Sequence, residues 1–172
     1  SADISSLNSS TQGGNTSYNA LSGSLTGMGF TYYNSDAKLV MNTKFGTMKI
    51  VKQAAKDFQI QYTVAKGQTW SDGTAINAED LLLTHVVASD KYSKDAGLGD
   101  PANADKKPAF DSLGYGGSYS KLIKDVTIAP DRMSVVLTYS KYFPDWEIAG
   151  PAPSPVHALV AMALGEKNLG TP

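Results

Sequence analysis

The sequence predicts a mixed α+β fold, with about three helices set among about six to eight short strands in a mixed β-sheet. Three observations carry that reading. Phe58, Ile60, Tyr62 and Val64 alternate with Gln59, Gln61 and Thr63, the period of a half-buried strand. Asn77 stands just ahead of Glu79, Asp80 and the apolar run Leu81-Leu82-Leu83, which is how a capped helix begins. Val126–Ile128 and Val135–Tyr139 flank Pro130 and Asp131, the pattern of a β-hairpin.

The remaining elements follow in order. Asp3–Ser5 reads as a short strand, followed by a polar, Gly-containing loop to residue 16. Asn15 is the expected cap of a first helix reaching Leu25, with Tyr18, Leu21 and Leu25 on one face and Gly27 and Gly29 as its stop. Phe30–Tyr33 is a strand, Asn34-Ser35-Asp36 a turn and Leu39–Met41 a short extended piece. Met48–Lys52 is expected to pair with Phe58–Val64. Residues 67–73 are rich in turn formers and carry Trp70. Residues 90–120 read as one long polar loop, a length usually kept for function or motion. Ser154 is the expected cap of the last helix, with Pro155 at its first position and Gly165 at its end.

Composition narrows the function classes. At 172 residues the chain fits one domain, or one and a half. Acidic and basic residues number 16 and 15, and Arg132 is the sole arginine, so binding of nucleic acid through net charge is excluded. The lack of cysteine removes disulfides, thiol nucleophiles and Cys-ligated zinc. No apolar run approaches the roughly 18 residues of a membrane helix. Neither a signal peptide nor an initiating Met is present, and both ends read as cut from a longer protein.

Candidate chemistry is sparse. Ser118-Tyr119-Ser120-Lys121 matches the S-x-x-K motif of penicillin-recognising enzymes, but the companion S-D-N and K-T-G motifs are absent and the match reads as chance. His85 and His157 are the only histidines; neither belongs to an H-E-x-x-H pair and no G-x-S-x-G elbow occurs, so both read as structural. The carboxylates of residues 100–105 lack calcium-loop spacing. No metal, cofactor or catalytic residue is expected. Tyrosine and tryptophan are abundant, and Tyr115 and Tyr119 stand in a Gly-rich stretch suited to ligand contact.

Trp70-Ser71-Asp72-Gly73-Thr74-Ala75-Ile76-Asn77-Ala78-Glu79-Asp80 resembles the W-S-D-G-x-P-x-T-A-x-D signature of bacterial family 5 extracellular solute-binding proteins, the oligopeptide and dipeptide binders of ABC importers. Ala75 replaces the usual Pro, and Asn77 replaces Thr as an equally good helix cap. Ile4–Asn8, Gly29–Val40, Val135–Pro144 and Pro155-Val156-His157 resemble further family segments in family order, so the likeness spans nearly the whole chain.

The resemblance implies part of lobe one of a type II periplasmic-binding-protein-like fold. Residues 1–30 would be the first strand and helix of that lobe and residues 31–172 a subdomain inserted into it, all within the N-terminal part of a longer two-lobed protein. It implies a non-enzymatic, exported bacterial protein, periplasmic or at the cell surface. Such a protein captures peptide or another small solute between its lobes and hands it to an ABC permease, touching the membrane only through an upstream lipid anchor. By position, Asn8, Ser10 and Thr11 after the first strand, with Tyr115 and Tyr119, are the expected ligand contacts. Trp70, Ser71, Asp72, Gly73, Asn77 and Asp80 are the structural signature. The competing reading is an adhesion domain that presents Tyr-rich loops to a protein partner.

Overall fold

A computed structural model describes residues 16–88, 90–95, 97, 122–163 and 165. The chain divides into two compact units, one of residues 1–28 with 85–123, the other of residues 29–84 with 124–172.

The described part of the first unit is helical. Helix α1 spans Ser17–Thr26. Its cap is Thr16, whose hydroxyl accepts the Asn19 N–H at 3.3 Å; Asn15, the expected cap, lies outside the described residues. Gly27 ends the helix as expected, donating its N–H to Gly23 C=O at 2.7 Å. Tyr18, Leu21 and Leu25, expected to form one apolar face, are all exposed, whereas Asn19 is buried. Helix α2, Ala78–Ala88, starts in the second unit and ends in the first. Helix α3, Asp90–Asp95, corrects the expectation of an unbroken loop from residue 90. Its polar sequence carries no apolar stripe to betray a helix. What it does carry is Tyr92, whose ring meets buried His85 edge-on at 5.5 Å.

The described strands lie in the second unit, apart from the first residue of one of them. Strands β1 (Thr31–Tyr33) and β2 (Leu39–Met41) form a two-stranded antiparallel ribbon. Strands β3 (Gly46–Ala54), β4 (Asp57–Val64), β5 (Ile123–Ile128) and β6 (Ser134–Tyr139) form a sheet in the order β3-β4-β6-β5. β4 pairs antiparallel with both β3 and β6. The period-2 reading of β4 holds residue for residue: Phe58, Ile60, Tyr62 and Val64 are buried, and their neighbours are half-buried. Val135, Leu137 and Tyr139 of β6 join the same core. Phe30 and Phe45 close it, with ring centroids 5.0 Å apart and Phe30 5.3 Å from Tyr62.

Edge strand β3 is mostly exposed, and its register shifts between Ile50 and Lys52. A bulge and lysines on an edge discourage pairing with a further strand. Beyond β6, a single 3₁₀ turn at Pro144–Glu147 leads over the core. Tyr62 donates its hydroxyl to Trp146 C=O at 3.1 Å, and Thr31 donates to Glu147 C=O at 3.1 Å. A Cβ at Gly150 would stand 2.7 Å from the Tyr62 ring, so glycine lets the chain lie flat on it. Helix α4, Val156–Ala163, follows Pro155. Among the described residues no helix is long and apolar enough to cross a membrane.

Candidate functional site

The stretch from Trp70 to Asp80 folds into one hydrogen-bonded turn that leads straight into α2. At its base the Ile76 N–H donates to Gln68 C=O at 2.9 Å, and Thr69 bridges Ala75. At its tip the Gly73 N–H donates to Trp70 C=O at 3.0 Å, and the Trp70 N–H to Thr74 C=O at 2.8 Å. Gly73 has a φ of +88°, the left-handed region in which a side chain is strained. Asp72 Oδ1 accepts the Thr74 N–H at 2.9 Å, an Asx link that braces the tip, while Ser71 is exposed there.

The start of α2 is a reciprocal cap. Asn77 Oδ1 accepts the Glu79 N–H at 3.0 Å, and Asp80 Oδ2 accepts the Asn77 N–H at 3.0 Å. Asp80 does more than close this cap. Its Oδ2 also accepts the Trp70 indole N–H at 3.2 Å, and its Oδ1 accepts the Val156 N–H, the first of α4, at 3.0 Å. Its backbone C=O accepts the Ser154 N–H at 2.9 Å. A carboxylate only 3% exposed is costly unless its oxygens are satisfied, and here three donors reach them. The negative charge also suits the positive end of α4. The cap role expected of Ser154 thus falls in part to a residue 76 positions earlier in the chain than Val156.

His157 ties α4 to the turn a second time. Its Nε2 lies 2.7 Å from Asp72 Oδ2, and its ring centroid is 6.4 Å from that of Trp70. The Thr74 N–H, and after it His157, hold the Asp72 carboxyl down at about 2. Asp72 is therefore an ionised, accept-only partner, and Nε2 carries the proton between them. Opposite, Glu79 Oε1 accepts from Arg132 Nε and Nη2, both at 2.6 Å. Together Asp72, Thr74, Glu79, Arg132, Val156 and His157 help wall a cavity of about 580 Å³, a size suited to a small molecule.

The arrangement can hold and orient a ligand. Among the described residues His157 has no hydrogen bond to a Ser or Thr side chain. Of the expected residues, the structure brings Trp70, Asp72, Gly73, Asn77 and Asp80 into one network, with Ser71 at its tip. Asn8, Ser10, Thr11, Tyr115, Tyr119 and the Ser118–Lys121 motif lie outside the described residues. Sequence reasoning noted Arg132 and His157 but not their partners, because Glu79–Arg132 and Asp72–His157 are separated by 53 and 85 positions. A histidine two positions after a proline and a lone arginine were the only available signals.

Comparison with known proteins gives this geometry a context. Over 98% of its length the chain superposes on a periplasmic EDTA-binding protein, EppA, with a TM-score of 0.68 and 17% identity. The fold is that of the periplasmic solute-binding proteins. An oligopeptide-binding protein of Thermus thermophilus, solved with a pentapeptide, matches 92% of the chain with a TM-score of 0.60 and 13% identity. In sequence the chain is 29% identical over 105 residues, 58% of its length, to an uncharacterized lipoprotein of Mycobacterium leprae (strain TN). No family model matches it. The chain spans 28% and 24% of the two solved proteins and 19% of the lipoprotein.

Proposed function

We propose that this chain is the N-terminal part of an exported family 5 solute-binding protein, the capture component of an ABC importer. The whole protein would close two lobes over a peptide or similar small solute and deliver it to a membrane permease, with no chemical step. Residues 1–30 would open lobe one, and residues 31–172 would form the subdomain inserted into it. One observation carries the reading: nearly the entire chain follows the backbone of solute-binding proteins, one of them solved with peptide. The W-S-D-G turn supports it from the sequence side, since each signature residue but Ser71 has a defined hydrogen-bonding or conformational part there. Ligand contacts from Asn8, Ser10, Thr11, Tyr115 and Tyr119 belong to the same proposal.

The test is the size and ligand response of the native product. An antibody against this chain, used on the exported fraction of the source cells, should detect a band well above 18.2 kDa. That protein, purified, should retain members of a mixed pentapeptide pool in native mass spectrometry and gain thermal stability from them. A native product of 18.2 kDa that ignores peptides and small chelates would sink the proposal and favour the partner-presenting domain.

A further inference from the structure

We propose that the cavity between the W-S-D-G turn, the start of α2 and α4 is a binding site for a small organic ammonium ion bearing an apolar group. Every residue that walls the cavity belongs to the second unit of this chain. Two of its wall residues hold acceptor atoms that lack a donor. His157 has a side chain only 9% exposed and gives Nε2 to Asp72. In the neutral imidazole that leaves Nδ1 as a bare lone pair, and among the described residues nothing donates to it. Glu79 Oε1 takes both Arg132 contacts, whereas its Oε2 is buried without a partner among the described residues. The Glu79 oxygen is a buried acceptor without a donor, an unfavourable arrangement that a ligand N–H relieves, and His157 Nδ1 offers a second acceptor that is open to water.

Charge and shape select the ligand class. Asp72, Glu79 and Asp80 bring three carboxylates to the wall against the single guanidinium of Arg132, so a cationic donor is favoured over a neutral one. Val156, Val160 and Ala75 supply apolar wall for an alkyl or aryl group. A bare metal ion fits less well: the described residues contain no group of three His, Asp or Glu able to hold one.

The probe is n-butylammonium, with n-butanol as its neutral counterpart, added to the 172-residue chain at about pH 8.5, where free imidazole is neutral and an alkylamine is still charged. Nitrogen-detected NMR of the His157 ring and methyl NMR of Val156 and Val160 report the site. Saturable shifts at all three residues are expected with butylammonium, with affinity about tenfold above that for butanol. His157→Phe, which keeps a ring beside Trp70, and Glu79→Gln should each weaken binding several-fold. Equal response to both probes, no saturable response, or unchanged affinity in both variants would overturn the proposal. So would a response to zinc(II) alone. None of these results bears on capture of peptide by the larger protein, so the two proposals fail separately.

Discussion

The sheet core and the W-S-D-G knot lie in the same unit and are built on opposite principles. In β4 four side chains reach full burial by simple alternation, and three of them, Phe58, Ile60 and Val64, are purely apolar. In the knot, one buried carboxylate draws an indole, a helix start and a second helix start to itself. The first region is cohesive through area, which is forgiving of exact geometry. The second is cohesive through a few directional bonds around a group that would be a liability if any one were lost. An apolar core specifies that the chain collapses; the knot specifies where α4 lies once it has.

The largest effect should come from the core. Phe58 is fully buried, beside Tyr139 at 6.0 Å and Tyr142 at 4.9 Å. Phe58→Ala should cost about 3–5 kcal/mol through lost transfer energy and a cavity. Urea unfolding followed by circular dichroism measures it, and a loss under about 1 kcal/mol would mean the site collapses freely. Asp80→Ala comes next. It strands the Trp70, Asn77 and Val156 donors, for an expected loss of about 2–4 kcal/mol after partial rescue by water. The two variants differ in kind as well as size. Phe58→Ala should lower stability everywhere, while Asp80→Ala should also speed amide hydrogen exchange selectively at the first turn of α4. Uniform exchange in both would erase the distinction between the regions.

That distinction also explains what the sequence disclosed. β4 was legible because burial on one face of a strand imprints a period of two on adjacent residues. The start of α2 was legible because Asn77, Glu79 and Asp80 are local to the helix they begin. Asp80 could be read as a first-turn acid, yet not as the partner of Val156, because that bond crosses 76 positions. The Asp72–His157 link was hidden for the same reason. Helix α3 was missed because six polar residues carry no apolar stripe, and α1 misled because its three apolar residues share spacing without sharing burial. Local chemistry writes itself into neighbouring residues; a polar contact between distant segments leaves no periodic trace.

The regions should also fail at opposite ends of the pH scale. In the core, burial pushes the Tyr139 phenol up to about 12 from the usual 10.0. A raised phenol contributes stability that is complete below pH 10.0 and lost as pH climbs toward about 12. Tyr139→Phe should therefore flatten the alkaline limb of a stability–pH curve and leave the acid limb unchanged. An alkaline limb that survives the substitution would point to another group.

In the knot the sign reverses. Asp72 sits at about 2 in the folded chain against the usual 3.8, mainly because of the Thr74 N–H and then His157. A depressed carboxyl contributes stability that is complete above pH 3.8 and lost as pH falls toward about 2. Asp72 is partly open to water, so the effect should be the smallest of the four. Asp72→Asn keeps the oxygen that braces Thr74 but cannot titrate, so it should shrink the acid limb and lower neutral stability by the same small amount, evenly across the unit. If the variant loosens α4 at neutral pH instead, seen as faster hydrogen exchange beside His157, the ionised form of Asp72 is what holds the second tie. Asp80 alone would then be insufficient to seat the helix, and the knot would have to be counted as two dependent bonds rather than a hub with a brace.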